Sequence, residues 1–192
     1  MTGPRSVTID LPDWAWECCA DAVGLTSVDD RMDAVLDLAH RNIADGGGPF
    51  AAAIFDAEGT MLAPGLNRVV AASAPIAHAE IVAIAMAGQR LGTWDLASAG
   101  AVELVTSTEP CAMCLGSVPW SGVVRLVCSA RDADARAIGF DEGHKPADWT
   151  TLLAESGVEV VSDVRRDGGV AVLQSYAEQG GDIYNGGDHA DA

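Results

Sequence analysis

Between Ser27 and Ile43 apolar side chains return at helical intervals, at Met32, Val35, Leu36, Ala39 and Ile43. Ser27 is placed to cap that helix, Asp29 and Asp30 suit its positive end, and Gly46-Gly47-Gly48 stops it. The rhythm then changes. "PFAAAIFDAEGTMLAPGLNRVV" reads as a hairpin, with strands near 50–56 and 60–67 about a turn at Glu58-Gly59. A second helix is predicted from His78 to Leu91, ended by Gly92. Strands follow at 101–107, 123–129 and 157–164, with helices from Cys111 to near Val118, near 132–138 and over 168–179. A hairpin followed by strands alternating with helices predicts a mixed five-stranded sheet with helices on both faces, a three-layer α/β/α domain. Residues 1–26 read as an arm whose Trp14, Trp16, Cys18 and Cys19 can pack on the body. Residues 27–192 read as one domain, and its Gly-rich tail, GGDIYNGGDHADA, is expected to fray at its end.

Composition narrows what such a domain does. At 192 residues and 49% hydrophobic content, the chain can bury one sizeable core. No apolar run nears the roughly 20 residues of a membrane span. The opening MTGPRSVTIDLPDWAW lacks the basic-then-apolar order of a signal peptide, so the expectation is a cytoplasmic protein with no membrane partner. Five cysteines, an odd number, favour reduced thiols or a metal over a disulfide framework. The formal net charge is −17, and the 11 basic residues include a single lysine, Lys145. Phosphate neutralisation drives nucleic-acid binding, so a chain with no basic footprint is not expected to hold nucleic acid.

In "IAHAEIVAIAMAG", His78 and Glu80 stand at the start of an otherwise apolar helix, where an unpartnered carboxylate is costly to bury. "TEPCAMC" supplies a reason for them. Cys111 and Cys114 are one helical turn apart, and they fall at a predicted helix start, where the dipole favours thiolate. Pro110 suits that first turn. A lone Cys-x-x-Cys is equally the mark of a redox pair or half of a closed zinc site, but Cys18-Cys19 and Cys128 supply no second pair. With His78 the set becomes one imidazole and two thiolates, which leaves a tetrahedral position open, as in catalytic zinc sites. Zn2+ is the expected cofactor, and Glu80 the carboxylate that carries a proton from activated water to a substrate. His-x-Glu followed by Pro-Cys-x-x-Cys is the signature of zinc-dependent deaminases. His78-Ala79-Glu80 and Pro110-Cys111-Ala112-Met113-Cys114 complete both halves.

With those residues in place, the chain resembles the bacterial guanine deaminases of the cytidine-deaminase-like fold. The likeness is carried by "GGGPFAAAIF", "GLNRVV", "AHAEIVAIAMAGQRLGTWDL", "TSTEPCAMCLGSVPWSGVVRLVCSA", "AIGFDEG" and "IYN", in order from Gly46 to Asn185. It is similar in particular to a subgroup that also accepts the triazine ammeline. The resemblance implies zinc held by His78, Cys111 and Cys114, with Glu80 and Glu142 as catalytic acids. It implies that Asn67 hydrogen-bonds the base, Phe50 stacks on it, Ala79 offers a backbone N–H and Asp141 positions it. Trp94, Trp120, Phe140 and Tyr184 are implied as pocket lining. Ordinary roles stay open beside these: a turn for Asn67 and for Asp141-Glu142, core packing for Phe50, scaffold for the two tryptophans. Glu109 reads as a structural hydrogen-bond acceptor. His40, His144, His189, Cys18, Cys19 and Cys128 read as ordinary surface or core residues.

The expected activity is hydrolysis of guanine to xanthine and ammonia, extended by the resemblance to ammeline, in a homodimer that takes a small purine or triazine base. The same metal centre also suits cytosine, another triazine or a nucleoside such as guanosine. A non-catalytic zinc-stabilised module is the alternative from another class, and the intact Glu80 speaks against it.

Overall fold

The structure, a computed structural model, describes residues 6–185. The first five residues of the arm and the end of the tail, with His189, lie outside them. Five strands, β1 (Ala51–Phe55), β2 (Met61–Leu66), β3 (Glu103–Thr108), β4 (Arg125–Ala130) and β5 (Glu159–Val161), form one sheet in the order β2-β1-β3-β4-β5. β1 is antiparallel to β2 and β3, whereas β3, β4 and β5 are parallel. The expected mixed sheet is what the chain forms.

Alternation along the strands divides the core in two. Ala51, Ala53, Phe55, Val105 and Val127 face α1 (Asp13–Asp21), α2 (Val28–Ala44) and α7 (Arg166–Glu178), through Ala15, Met32 and Val172 among others. Ala52, Ile54, Leu104 and Leu126 face α3 (Ala79–Leu91), α4 (Ala112–Ser121) and α6 (Trp149–Glu155). A short α5 (Asp132–Ala137) follows β4. No helix among the described residues is long and apolar enough to cross a membrane.

Local signals set most boundaries. The Ser27 hydroxyl accepts from the Asp30 amide and starts α2, a cap worth about 1 kcal/mol. Gly92, in the left-handed region, ends α3. In the hairpin turn, Thr60 N–H donates to Asp56 Oδ1 at 2.8 Å and Gly59 has a φ of 79°. Pro64 sits in β2, tolerable because β2 is the sheet edge.

The first helix is the main departure from the sequence expectation. Residues 13–21 are helical, with Ala15 and Cys19 buried against the core. This segment covers the β2 edge: Met61 N–H donates to the Ala22 carbonyl and Cys19 Sγ to the Met61 carbonyl, while Arg90 of α3 donates to the Leu62 carbonyl and to Cys19 Sγ. Its apolar face carries tryptophan and cysteine instead of a leucine stripe, which hides the helical period. Behind it, the buried Arg31 joins α2 to Glu103 of β3 and to the Leu25 and Thr26 carbonyls. The short α6 was likewise not expected, because Trp149, Leu152 and Leu153 give it less than one full apolar stripe.

Candidate active site

Because β1 runs against its neighbours, its N-terminal end lies beside the C-terminal ends of β2 and β3. Ala51 pairs with Leu66, and Ala52 with Thr106. Phe50, Asn67 and Thr108–Glu109 therefore meet at one end of the sheet, and α3 and α4 both begin there. Ligand sites in open α/β sheets favour this end.

His78 is the residue that opens α3 and Cys111 the one that opens α4; both have extended backbone and neither side chain caps its helix. The two side chains are thus free to turn toward each other, and His78 Nδ1 lies 3.5 Å from Cys111 Sγ. Cys114, one turn into α4 and fully buried, completes a set whose ligand atoms all lie within 4.8 Å of one another. Glu80, in the first turn of α3, is buried beside them and lines the same cavity. Gly65 makes this placement possible: a Cβ there would run into the Ala79 carbonyl and Ala83, so α3 can rest directly on β2.

Electrostatics test whether a metal suits these residues. Hydrogen bonding from Cys114 and His78, working against burial, holds the Cys111 thiol down at about 4, whereas the Cys111 sulfur, burial and Glu80 push Cys114 far above its ordinary value. Burial and then the Cys111 thiolate raise Glu80, and burial, Cys111 and Glu80 raise Glu142 to about 8. Burial lowers the His78 imidazole, but Cys111 and the two carboxylates more than offset it, so it is raised. The upward shifts of Cys114, Glu80 and Glu142 record burial together with neighbouring negative charge crowded into one space. A soft dication relieves it, and one nitrogen with two sulfurs is the donor set of a zinc site. Among the described residues this is the one such set.

The other wall is lined by aromatic rings and polar side chains. A cavity of about 110 Å³ runs from the metal-ligand set to Phe50, Asn67, Thr108, Phe140, Asp141, Glu142, Tyr184 and Asn185. Phe140 packs edge-on against Phe50 and Tyr184, with ring centroids 4.9 and 5.1 Å away. Asn67 Oδ1 accepts from Val69 N–H, which leaves its Nδ2 donor free for a ligand. Glu142 is buried, and its carbonyl accepts from Ala112 N–H, the first residue of α4. Asp141 turns its carboxylate to Gly143 N–H and Arg136 while its own N–H donates to Asn185 Oδ1. Asp141 thus shapes the loop that carries Glu142.

Of the anticipated residues, the structure gathers His78, Cys111, Cys114, Glu80, Glu142, Asn67, Phe50, Asp141, Phe140 and Tyr184 at one cavity. It does not bring Trp94 or Trp120 there: they are 90% and 85% exposed and absent from its walls. Each follows a helix's last turn or lies within it, where a large side chain reaches solvent. Ala79 opens α3 with its methyl in the core, so only its backbone can serve a ligand.

Thr108, Asn185 and Asn42 join the site without any signal in the sequence pattern. The buried Thr108 hydroxyl and the Tyr184 hydroxyl have no hydrogen-bond partner among the described residues, and both groups border the cavity. Asn42, fully buried near the end of α2, donates through Nδ2 to the Gly48 carbonyl at 2.8 Å and the Asn67 carbonyl at 3.3 Å. It ties together the two stretches that carry Phe50 and Asn67. Glu109 both lines the cavity and accepts from Asp132 N–H, the structural role anticipated for it.

Known proteins share this fold. A guanine deaminase from Nitrosomonas europaea, solved by crystallography, is 43% identical over 93% of this chain and all of its own, with a TM-score of 0.87. A crystal structure in complex with 2,6-diaminopurine is 45% identical, covers 94% of this chain and 97% of the other, and superposes with a TM-score of 0.88. The guanine deaminase of Bacillus subtilis strain 168 is 38% identical over 112 residues, 55% of this chain and 69% of that one. The model of the cytidine and deoxycytidylate deaminase zinc-binding region matches residues 26–130. With that region spanning both ligand-bearing helices and the strands that aim them, the chain belongs to the cytidine and deoxycytidylate deaminase zinc-binding family.

Proposed function

We propose that this protein is a guanine deaminase, which hydrolyses the amino group at purine C2 and releases xanthine and ammonia. One observation carries the reading: the buried His78, Cys111 and Cys114 set, with Glu80, opens into the same cavity as Phe50, Asn67 and Glu142. The relatives that act on guanine, and the one solved with a diaminopurine, support a base of that size and edge pattern.

His78, Cys111 and Cys114 would hold the zinc, which when bound would lower the pKa of water toward neutrality and so supply a nucleophile. Phe50 covers one face of the ring, and the Asn67 Nδ2 donor meets an acceptor on its edge. Glu80 takes the proton of the attacking water and delivers it to the ring nitrogen beside the amino-bearing carbon. Glu142, on the loop that packs against the start of α4, gives a proton to the leaving amine. The C–N bond breaks, a C=O bond replaces it, and one water is consumed. Asp141 and Asn185 keep the Glu142 loop in place, and Tyr184 closes the cavity over the base. The exposed Trp94 and Trp120 belong to a surface that a second copy of the chain covers, making a homodimer, since apolar faces of this kind are costly in water.

The test is ammonia release from guanine, ammeline, cytosine, adenine and guanosine side by side. The expected result is release from guanine and none from guanosine. Guanosine preferred over guanine, or no release from any base by the zinc-loaded protein, overturns the reading.

A further inference from the structure

The chain's one lysine is not on the surface. The Lys145 side chain is only 8% exposed, and its ammonium donates to the Pro110 carbonyl at 2.9 Å. It also lies 2.8 Å from Asp132 Oδ1, 3.9 Å from Glu109 Oε2 and 5.6 Å from the centre of the Trp149 ring. One carbonyl accepts from the ammonium, and the Asp132 and Glu109 carboxylates flank it as ion-pair partners. A compact ammonium fits that arrangement, whereas the planar guanidinium fork does not. This accounts for a lysine in a chain whose other ten basic residues are all arginine.

The acceptors belong to different parts of the site. Pro110 immediately precedes Cys111, Glu109 lines the cavity, and Asp132 opens α5 while its amide donates to Glu109 Oε2. Lys145 itself stands three residues beyond Glu142. Two links therefore join the 140–145 loop to the start of α4: Ala112 N–H to the Glu142 carbonyl at 2.9 Å, and Lys145 Nζ to the Pro110 carbonyl. Arg136 adds a third hold, donating to the Gly143 carbonyl at 2.6 Å.

We propose that Lys145 is a positioning residue, which fixes the Glu142 carboxyl over the cavity and acts on turnover through Glu142, without touching base or metal. The inference rests on the role given to Glu142 above. A lysine that merely holds the fold together would lower stability or zinc content and leave the turnover of the surviving enzyme alone. A positioning lysine moves kcat.

The experiment is a double-mutant cycle on the zinc-loaded full chain: Lys145→Met, Glu142→Gln and the two together, with kcat and KM for guanine and zinc content measured for each. Lys145→Met is expected to lower kcat roughly 10- to 100-fold through misplacement of the acid, with KM within about threefold of wild type and zinc unchanged. The double variant is expected to be no slower than Glu142→Gln alone, because the lysine has nothing left to position. Additive losses, or a loss of kcat that tracks loss of zinc, overturn the proposal while leaving the reading of Glu142 intact. A Glu142→Gln enzyme with wild-type kcat overturns both. Should Lys145→Met fail to fold, Lys145→Arg takes its place in the cycle.

Discussion

On one wall of the cavity, every reactive side chain hangs from a helix start: His78 and Glu80 from α3, Cys111 and Cys114 from α4. On the other, Phe50, Asn67, Phe140, Glu142 and Tyr184 are carried by loops and by the returning C-terminal segment. The first wall is set by hydrogen bonds within two helices and by the seating of α3 on β2. The second is set by contacts between stretches far apart in sequence, such as Asn42 with Gly48 and Asn67, and Asn185 with Gly139 and Asp141. The helix starts thus carry the metal-ligand set and Glu80, the loops carry the ring-facing residues together with Glu142, and the two walls should fail differently.

The largest effect is expected at the metal. Cys114→Ala, or exhaustive chelation of the wild type, should abolish ammonia release, and zinc should restore it only to the wild type; zinc content and activity should fall together. Glu80→Gln comes next, with kcat lower by about 10²- to 10⁴-fold and zinc retained. Persistent turnover at near wild-type rate in that variant would break the division of labour between the walls. On the loop wall, Asn67→Ala should cost about 1–3 kcal/mol in transition-state binding, read as a fall in kcat/KM for guanine with zinc untouched. If that substitution releases zinc, the walls are not independent.

Asn42 sharpens the comparison further. Replacing Asn42 by Leu removes both donors without adding bulk and frees the Gly48 and Asn67 carbonyls from their shared tie, so KM should rise by roughly threefold to tenfold, while kcat at saturation changes less. The smallest effect belongs to neither wall. Hydrogen bonds from Arg166 and Arg131 hold the Asp134 and Asp163 carboxyls below their ordinary value of 3.8. Carboxyls lowered on folding contribute stability above that value and lose it as pH falls through their folded values. Melting temperature should therefore drop more steeply below pH 4 in the wild type than in Asp163→Asn, by a margin that added salt reduces.

The same contrast explains what the sequence could disclose. His78, Glu80, Cys111 and Cys114 are read from spacing, because a helix converts sequence distance directly into a shared side. The five strands are read too, since alternation between two covered faces leaves unbroken apolar runs such as Ala51–Phe55. Thr108, Asn185 and Asn42 are not: a threonine at a strand end and an asparagine within a helix look the same whether or not a distant loop closes on them. Phe50 and Tyr184 were reached through resemblance, and only the packing of Phe140 against both shows that they share one cavity. Trp94 and Trp120 mark the opposite error, where a large aromatic near the motif invites a pocket role that its position on the helix surface denies.

Gly65 sets a limit on how far that contrast can be redrawn. A Cβ there would meet the Ala79 carbonyl, Ala83 N and Ala83 Cβ, so the separation between α3 and β2 has no slack at this point. Any larger side chain would displace the start of α3, and with it His78 and Glu80, relative to Cys111 and Cys114. The metal-ligand set would then open although none of its members had been changed.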